Sequence, residues 1–166
     1  MSDQPSCRST FEELVGGIDY PMFIVTTRDG DDIAGCLAGF ATQCSIDPPR
    51  FLVCLSEKNR THDVALRADH LAVHLVPSSA ESLAELFGGE TGHEVDKFAS
   101  CDWDEGPHGI PLLRACENWF AGRILSRDER GDHVGFLLEP VASASGENFD
   151  QFSFHRARRI EPGREP

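Results

Sequence analysis

Residues 58–62 carry the side chains of this sequence that are best suited to bind an anion. They lie where the segment HDVALRAD is predicted to begin a short helix, with Asn59 or Thr61 as its cap. The N–H groups of a helix start and the charges of Lys58 and Arg60 favour phosphate, although the whole chain has a formal net charge of -13. The alternative is an ordinary capped helix start with solvated charges.

A second candidate segment, residues 39–45, precedes the stiff turn Asp47-Pro48-Pro49. Glycine within a strand often marks a bulge or the close approach of another group, and a flat ring lying against the backbone would need such clearance. Hydroxyl and amide groups here could bond the polar edge of that ring. The candidate contacts are Gly39, Phe40, Ala41, Thr42, Gln43, Cys44 and Ser45. A twisted barrel strand with a bulge and exposed polar residues is the alternative.

Two further positions with chemical potential lie later in the chain. His133 follows Asp132, whose carboxylate could set the histidine tautomer and hold the ring positively charged. Lys97 and Phe98 end an acidic, glycine-rich loop, GGETGHEVDKF, that could act as a lid. The alternatives are a histidine at a barrel mouth without a function, and an ordered connection with one aromatic anchor.

Composition limits the classes of protein to consider. A chain of 166 residues with 40% hydrophobic residues is predicted to form one domain, residues 1–166, with its own core. Because 28 acidic residues oppose 15 basic ones, nucleic acid and anionic membranes are disfavoured as partners. Six cysteines in a chain rich in aliphatic residues indicate reduced thiols and a cytoplasmic protein. The sequence has no CxxC or HExxH motif, so no metal site is predicted, and it has no signal peptide or membrane-spanning stretch.

The order of the predicted elements indicates a mainly β fold. Strands are predicted at 21–27, from 33 onward, at 51–55, 70–76, 115–127 and 133–144. Helices are predicted at 9–15, capped by Ser9, and at 78–87, where Ser78 and Glu81 would form a capping box. His74, on one face of its strand with His70, is expected to be a satisfied core or edge residue. Without βαβ alternation, we expect an antiparallel Greek-key barrel with peripheral helices.

The polar tail, residues 146–166, leaves several roles open. Its aromatic residues, Phe149, Phe152 and Phe154, could dock on a partner subunit or cover the barrel. Its arginines could meet the phosphate of a pyridine nucleotide; they are Arg156, Arg158, Arg159 and Arg164.

Taken in order, six segments of this chain resemble the flavin reductase-like family of FMN-binding split barrels. They are YPMFIVTTRDG, AGCLAGFATQCSIDPPRFLVCLSEKNRTHD, LAVHLV, LAELFGGETGHEVDKF, the Gly-x-Pro-Leu-Leu segment at 109–113 and Gly131-Asp132-His133. The resemblance covers roughly residues 18–145 and implies a split β-barrel that dimerises and binds flavin between its subunits.

The resemblance also implies roles for particular residues. The loop with Lys58, Asn59, Arg60 and Thr61 would hold the FMN phosphate, residues 39–45 would contact the flavin ring, and Lys97 and Phe98 would lie near the flavin. His133 would lie on the nicotinamide side. At 39–45 the family usually reads close to SSFTSVS; Thr42 and Ser45 match, whereas Gly39 and Phe40 replace hydroxyl residues and Gln43 is larger than usual.

The activity that the resemblance implies is an NAD(P)H-dependent flavin reductase. Hydride would pass from NADH or NADPH to FMN, with FAD as an alternative flavin, and reduced flavin could be passed to a separate monooxygenase. This chemistry needs aligned cofactors rather than a nucleophile or a carboxylate pair. Two alternatives stay open: a split-barrel enzyme that keeps FMN, F420 or haem bound and acts on another substrate, and a non-enzymatic module that only binds flavin.

Overall fold

The computed structural model describes residues 6–89, 93, 95–147 and 150–160. Its strands are β1 (Phe23–Asp29), β2 (Asp32–Ala38), β3 (Ala41–Ser45), β4 (Arg50–Ser56), β5 (His70–Leu75), β6 (Trp103–Glu105), β7 (Pro111–Leu113), β8 (Trp119–Glu129) and β9 (His133–Ala144). Seven of them form one sheet in the order β2-β1-β5-β8-β9-β4-β3, while β6 and β7 form a separate ribbon. Every pair in the large sheet is antiparallel.

The large sheet curves into a barrel that stays open at one seam. Its edge strands, β2 and β3, follow each other in the chain with only Gly39 and Phe40 between them. Side chains from β2 nevertheless share one apolar core with side chains from β4 and β9 on the far half of the sheet. The predicted antiparallel split barrel is therefore confirmed.

Alternation along the strands fills the barrel interior. Because successive strand residues point to opposite faces, β1 directs Phe23 and Val25 inward, while Ile24 packs on the outer face. The inner core continues with Val53, Leu55, Leu71, Val73, Val134, Phe136 and Leu138. This interior is filled by side chains, so the barrel is not a channel.

In the described part of the chain, four α-helices lie around the sheet: α1 (Cys7–Gly16), α2 (Arg60–Ala65), α3 (Glu81–Gly89) and α4 (Phe154–Ala157). The cap of α1 is Ser6, whose Oγ accepts from the Ser9 N–H at 3.1 Å, so the prediction of Ser9 as the cap is wrong. The predicted capping box at Ser78 is also absent, because residues Ser78–Ala80 form a 3-10 turn that leads into α3 without a side-chain cap. Among the described residues, no helix is long and apolar enough to cross a bilayer.

A second core lies outside the sheet, beneath α3 and the C-terminal segment, residues 150–160. Its largest fully buried side chains are Phe87 and Phe152. The segment is joined to the barrel by backbone hydrogen bonds, from Met22 N to Phe152 O at 3.0 Å and from Phe152 N to Val76 O at 2.8 Å. Of the roles left open for the tail, the structure shows that it covers its own barrel. Phe149 and Arg164 lie outside the described residues.

Candidate functional site

The start of α2 is organised by Asn59, as one of the two predicted caps. The Asn59 side-chain oxygen accepts from the Thr61 N–H at 3.0 Å, and Thr61 itself is buried. Lys58 lies one residue earlier on the exposed surface, and its N–H donates to Ser56 Oγ at 3.3 Å. The cap directs the chain sharply into the helix and buries Thr61 at the base of this loop.

Arg60 forms hydrogen bonds with the first two residues of β2. Its guanidinium donates to the carbonyl oxygen of Ile33 at 2.9 Å and to the carboxylate of Asp32. Partial burial alone would raise the pKa of Asp32, but hydrogen bonds from Arg67 and Arg60 outweigh it and hold that pKa below its usual value. Arg60 is therefore fixed in place, and an internal carboxylate offsets much of its charge.

Lys97 is unusual because its side chain is buried. Its Nζ donates to the carbonyl oxygens of Phe87 at 2.9 Å and of Gly35 at 3.2 Å, and it lies 5.6 Å from the centre of the Phe87 ring. Phe98 packs edge-on against Phe87 with the ring centres 5.5 Å apart. Lys97 thus connects β2 to the end of α3.

Arg60, Thr61, Lys97 and Phe98 line a cavity of about 460 Å³, called here the charged cavity, whereas Lys58 and Asn59 are not in its lining. It lies between the start of β2, the start of α2 and residues 95–98. Its lining residues include Asp31, Asp32, Gly35, Arg60, Thr61, Asp96, Lys97 and Phe98. The volume is within the roughly 300–1,000 Å³ typical of small-molecule sites. The loop that was expected to act as a lid lies partly outside the described residues.

A smaller cavity of about 220 Å³, the aromatic cavity, lies at the other end of β2. It is lined by Tyr20, Met22, Leu37, Gly39, Phe40, Cys54, Ser56, Asn59, His133 and Phe154, among others. Because Asn59 lines this cavity and Arg60, the next residue, lines the charged one, the start of α2 lies between the two cavities.

His133 enters the aromatic cavity from the first position of β9. Its Nδ1 lies 2.7 Å from Asp132 Oδ1, and its ring centre lies 4.9 Å from that of Phe40. The hydrogen bond from His133 lowers the pKa of Asp132, so the carboxylate is ionised and accepts the Nδ1 proton. The predicted control of the His133 tautomer by Asp132 has its geometry here, and Nε2 is left as the atom that can meet a bound molecule.

The predicted ring segment is divided by the structure. Gly39 and Phe40 line the aromatic cavity, whereas β3 lies on the sheet edge outside the linings of both cavities. On that edge the side chains of Thr42, Gln43 and Cys44 are exposed. Thr42 Oγ1 donates to the Gln43 carbonyl oxygen, and Gln43 Nε2 donates to that of Ser45, both at 3.1 Å. A bulge between Gln43 and Ser45 matches the alternative interpretation of this stretch.

The clearance above the glycines of β2 is already filled. A Cβ at Gly35 would lie 2.8 Å from the Phe87 ring, and one at Gly39 would lie 2.8 Å from Tyr20 Cε2 and 2.9 Å from Met22 Sδ. Side chains of the chain itself therefore fill this space, and contact of a flat ligand ring with Gly39 stays a prediction. Both glycines admit these large side chains, because only a residue without a Cβ allows such close contact.

Sequence reasoning missed Tyr20, Met22 and Phe154 as cavity residues. Tyr20 and Phe154 stack with ring centres 4.6 Å apart and planes 9° from parallel. Met22 was explained as part of the predicted strand 21–27, and Tyr20 lay just before that strand. Phe154 was considered only as a residue of the tail. The aromatic and thioether side chains were the available signal, but only the fold brings residues 20 and 154 together.

The arrangement suits a ligand with two unlike ends. The charged cavity combines the start of α2 with Arg60 and Lys97, and also with the carboxylates of Asp31, Asp32 and Asp96, while the aromatic cavity is lined by flat rings. Within the described part of the chain, no group of three or more His, Cys, Asp or Glu side chains is placed to hold a metal ion. Fold and cavities together define a split-barrel protein with one charged and one aromatic cavity on either side of the α2 start.

Comparison with known proteins names the family. The family model described as the flavin reductase like domain matches residues 15–161, so the chain belongs to the flavin reductase-like family. The FMN reductase (NADH) RutF of Klebsiella pneumoniae is 30% identical over 135 residues, which are 81% of this chain and 82% of that protein. The reductase subunit Stc3 of stachydrine N-demethylase from Rhizobium meliloti is 31% identical over 114 residues, 66% of this chain and 48% of Stc3.

Solved structures agree on the fold. The NADH:FAD oxidoreductase SgcE6 of Streptomyces globisporus, solved with NAD and FAD fragments, aligns with a TM-score of 0.79 and 25% identity over 97% of this chain and 92% of SgcE6. The chain spans about half the length of the two Rhizobium meliloti relatives that it matches, 48% and 44%.

Proposed function

We propose that this protein is a flavin reductase that uses NADH or NADPH to reduce FMN, with FAD as an alternative flavin. The observation that carries the proposal is the position of Asn59 and Arg60 between an aromatic and a charged cavity, in a chain of the flavin reductase-like family. The names of RutF and SgcE6, an FMN reductase (NADH) and an NADH:FAD oxidoreductase, support it.

The residues of the chain would bind and orient the reactants. Bound flavin supplies the chemistry by accepting a hydride from the nicotinamide. Lys58, Asn59 and Thr61 hold the phosphate, with Arg60, Lys97 and Phe98 shaping the charged cavity. Gly39 and Phe40 lie along the ring as cavity residues, and residues 41–45, which are outside both cavities, would contact it only from the sheet edge.

His133 is placed on the nicotinamide side in this proposal. Its Nδ1 proton is committed to Asp132, so Nε2 is available to a polar group of the nucleotide. Phe40, whose ring centre lies 4.9 Å from that of His133, forms one side of the cavity. Alignment of the two reactants is what a hydride transfer between two cofactors requires of the protein.

An anaerobic titration tests the activity directly. Purified protein with FMN should lose the flavin absorption bands when NADH or NADPH is added. Steady-state consumption of NADH with free FMN in excess then separates a reductase from an enzyme that keeps its flavin and acts on another substrate. A protein that binds FMN while NADH and NADPH leave its absorption unchanged would be a flavin-binding module, and the proposal would be lost.

We further propose a homodimer. Helix α1 has no buried residue and, with the residues that follow it, exposes Phe11, Leu14, Val15 and Ile18, and the edge strand β3 is flanked by exposed Phe40 and Ile46. Exposed apolar patches and unpaired strand edges commonly mark subunit contacts. Light scattering should give twice the mass of the chain, and Leu14→Glu should give the single mass, whereas Glu13→Gln on the same helix should not.

The remaining proposals concern extent, place and partner. We propose a single flavin reductase domain that includes the C-terminal segment, and a cytoplasmic site of action in keeping with six free thiols. A structural relative from Mycobacterium thermoresistibile is described as nitrilotriacetate monooxygenase component B, which supports a monooxygenase as the consumer of reduced flavin.

A further inference from the structure

The C-terminal segment places a second aromatic pair at the aromatic cavity. Phe154 and Tyr20 stack with ring centres 4.6 Å apart, and both line the cavity that also contains Phe40 and His133. Tyr20 and Phe154 come from opposite ends of the chain, whereas Phe40 comes from the β2–β3 connection and His133 from β9. Four aromatic rings in the lining of a 220 Å³ cavity suit a flat ligand.

The pair is held in position by backbone contacts. The Phe154 N–H donates to the Tyr20 carbonyl oxygen at 2.8 Å, and the His155 N–H donates to Asp19 Oδ1 at 3.0 Å. One residue earlier, Ser153 bridges to Pro21 as in an antiparallel pair. The two rings therefore do not depend on their mutual stacking alone for orientation.

Gly39 makes room for this pair. The Tyr20 edge and Met22 Sδ lie where a side chain at position 39 would begin, so any larger residue would displace Tyr20. The aromatic pair and the glycine form one arrangement, which sets the wall of the cavity beside Phe40.

We propose that Tyr20 and Phe154 form a stacking wall that receives the planar heteroaromatic ring of a nucleotide bound by this protein. The proposal rests on the proposed flavin reductase function and deepens it by assigning ligand contact to the C-terminal segment. The cavity of about 220 Å³ is smaller than the roughly 300–1,000 Å³ of complete ligand sites, which matches contact with one ring system of the ligand. The isoalloxazine, nicotinamide and adenine rings share the required chemistry.

The test compares Phe154→Leu, which keeps an apolar side chain, with Phe154→Tyr, which keeps a ring. Arg158→Ala is the matched control, since Arg158 donates to the Gly16 carbonyl oxygen from the same segment but does not line the cavity. The readouts are the Kd of FMN, the KM of NADH and of reduced nicotinamide mononucleotide, and inhibition by ADP-ribose. If Phe154→Leu does not fold, Tyr20→Leu removes the other ring.

Phe154→Leu is expected to weaken the binding of one of these nucleotides about tenfold, and Phe154→Tyr should restore binding. A higher Kd for FMN alone assigns the wall to isoalloxazine. A higher KM for both NADH and reduced nicotinamide mononucleotide assigns it to nicotinamide. A higher KM for NADH together with weaker inhibition by ADP-ribose assigns it to adenine.

Unchanged constants in Phe154→Leu would overturn the stacking wall, as would an equal loss in Arg158→Ala or no recovery in Phe154→Tyr. Failure of the proposed function is a separate result. In that case the wild-type protein shows no NADH-dependent flavin reduction, while binding of FMN and ADP-ribose to the variants still tests the wall.

Discussion

At the scale of single residues, His133 and His74 show how burial and partners divide two similar side chains. His133 is partly exposed at a cavity and bonded to a surface carboxylate. His74 is fully buried; its Nδ1 donates to the Ile24 carbonyl oxygen at 2.9 Å, and its Nε2 accepts from the Leu113 N–H at 3.1 Å. The predicted satisfied core role of His74 is confirmed, and the proposed role of His133 in nucleotide binding remains a prediction.

Replacing His133 by leucine should lower kcat/KM for NADH by about tenfold, because the polar contact of Nε2 is lost while an apolar filling beside Phe40 remains. The Kd of FMN should change little, as measured by flavin fluorescence. Asp132→Asn is the companion variant, since it keeps a hydrogen-bond acceptor for Nδ1 and should have a smaller effect. Equal activity of the His133→Leu variant and the wild-type protein would remove His133 from the site.

His74 predicts a loss of stability in acid. Burial lowers its pKa from 6.5 to about 4, although the hydrogen bond to Ile24 opposes this. Between pH 6.5 and 4, His74 is therefore protonated in the unfolded chain but neutral in the folded chain. The free energy of unfolding falls as the pH is lowered through this window. The full contribution is about 3 kcal/mol. Urea unfolding at about pH 7 and about pH 4.5 measures it.

His74→Gln separates this residue from the acidic side chains that also titrate in acid. The variant is expected to be less stable at neutral pH, because the donor and acceptor of a glutamine amide are not placed as Nδ1 and Nε2 are on the buried ring. Its further loss between about pH 6.5 and about pH 4.5 should be smaller than that of the wild type. An unchanged pH dependence in this variant would assign the acid sensitivity to other groups.

At the scale of elements, the start of the short helix α2 lies between the two cavities. Asn59 caps it and lines the aromatic cavity, while Arg60 and Thr61 line the charged one. Strand β2 runs beside both cavities and is tied to α3 through Lys97. The site therefore depends on the angle at which the chain leaves β4 and enters α2.

Asn59 allows capping and ligand binding to be tested apart. Asn59→Ala should lower the free energy of unfolding by about 1 kcal/mol through loss of the cap. Asn59→Asp keeps an oxygen acceptor for the Thr61 N–H and should retain the free energy of unfolding. Its negative charge should repel the phosphate and weaken the binding of FMN by about tenfold. Chemical denaturation and FMN fluorescence measure the two effects. Tight FMN binding by Asn59→Asp would place the phosphate elsewhere.

At the scale of the whole molecule, the C-terminal segment belongs to the fold. Phe152 is fully buried in the outer core and lies under the Arg156 guanidinium, 5.1 Å from its ring centre, while Arg156 pairs with Glu81 at 2.8 Å. The segment bridges both Pro21 and Pro77, so it connects the entry to β1 with the exit from β5. The sequence left the role of the tail arginines open. For Arg156, the structure shows an ion pair with Glu81 of α3.

Phe152→Ala should therefore destabilise the protein by about 3–5 kcal/mol, the range for an aromatic side chain removed from a packed core. Phe152→Leu keeps most of the apolar volume and should cost less than about 2 kcal/mol. Thermal and denaturant unfolding of the two variants measure this difference. If both variants unfold at the same temperature and denaturant concentration as the wild-type protein, the C-terminal segment does not contribute to the stability of the domain.

Local sequence signals predicted much of the fold. The continuous apolar run at 51–55 and the β-formers at 70–76 and 133–144 predicted strands, because these patterns are properties of neighbouring residues. The Asn59 cap was one of two local candidates for the same reason. The caps predicted at Ser9 and Ser78 were wrong, since Ser6 lay three residues earlier and Pro77 begins a 3-10 turn, alternatives that local pattern alone does not rank.

What the sequence by itself determined was the split-barrel class, the strand order along the chain and the polar helix start at 58–62. The tertiary structure decided which residues share a cavity: it separated Ala41–Ser45 from Gly39 and Phe40, turned Lys97 inward and brought Phe154 onto Tyr20. Spacing along a chain governs only which face of an element a residue occupies. Distances between residues 20, 39, 133 and 154 are fixed by the curvature of the sheet and by packing, which no local pattern encodes.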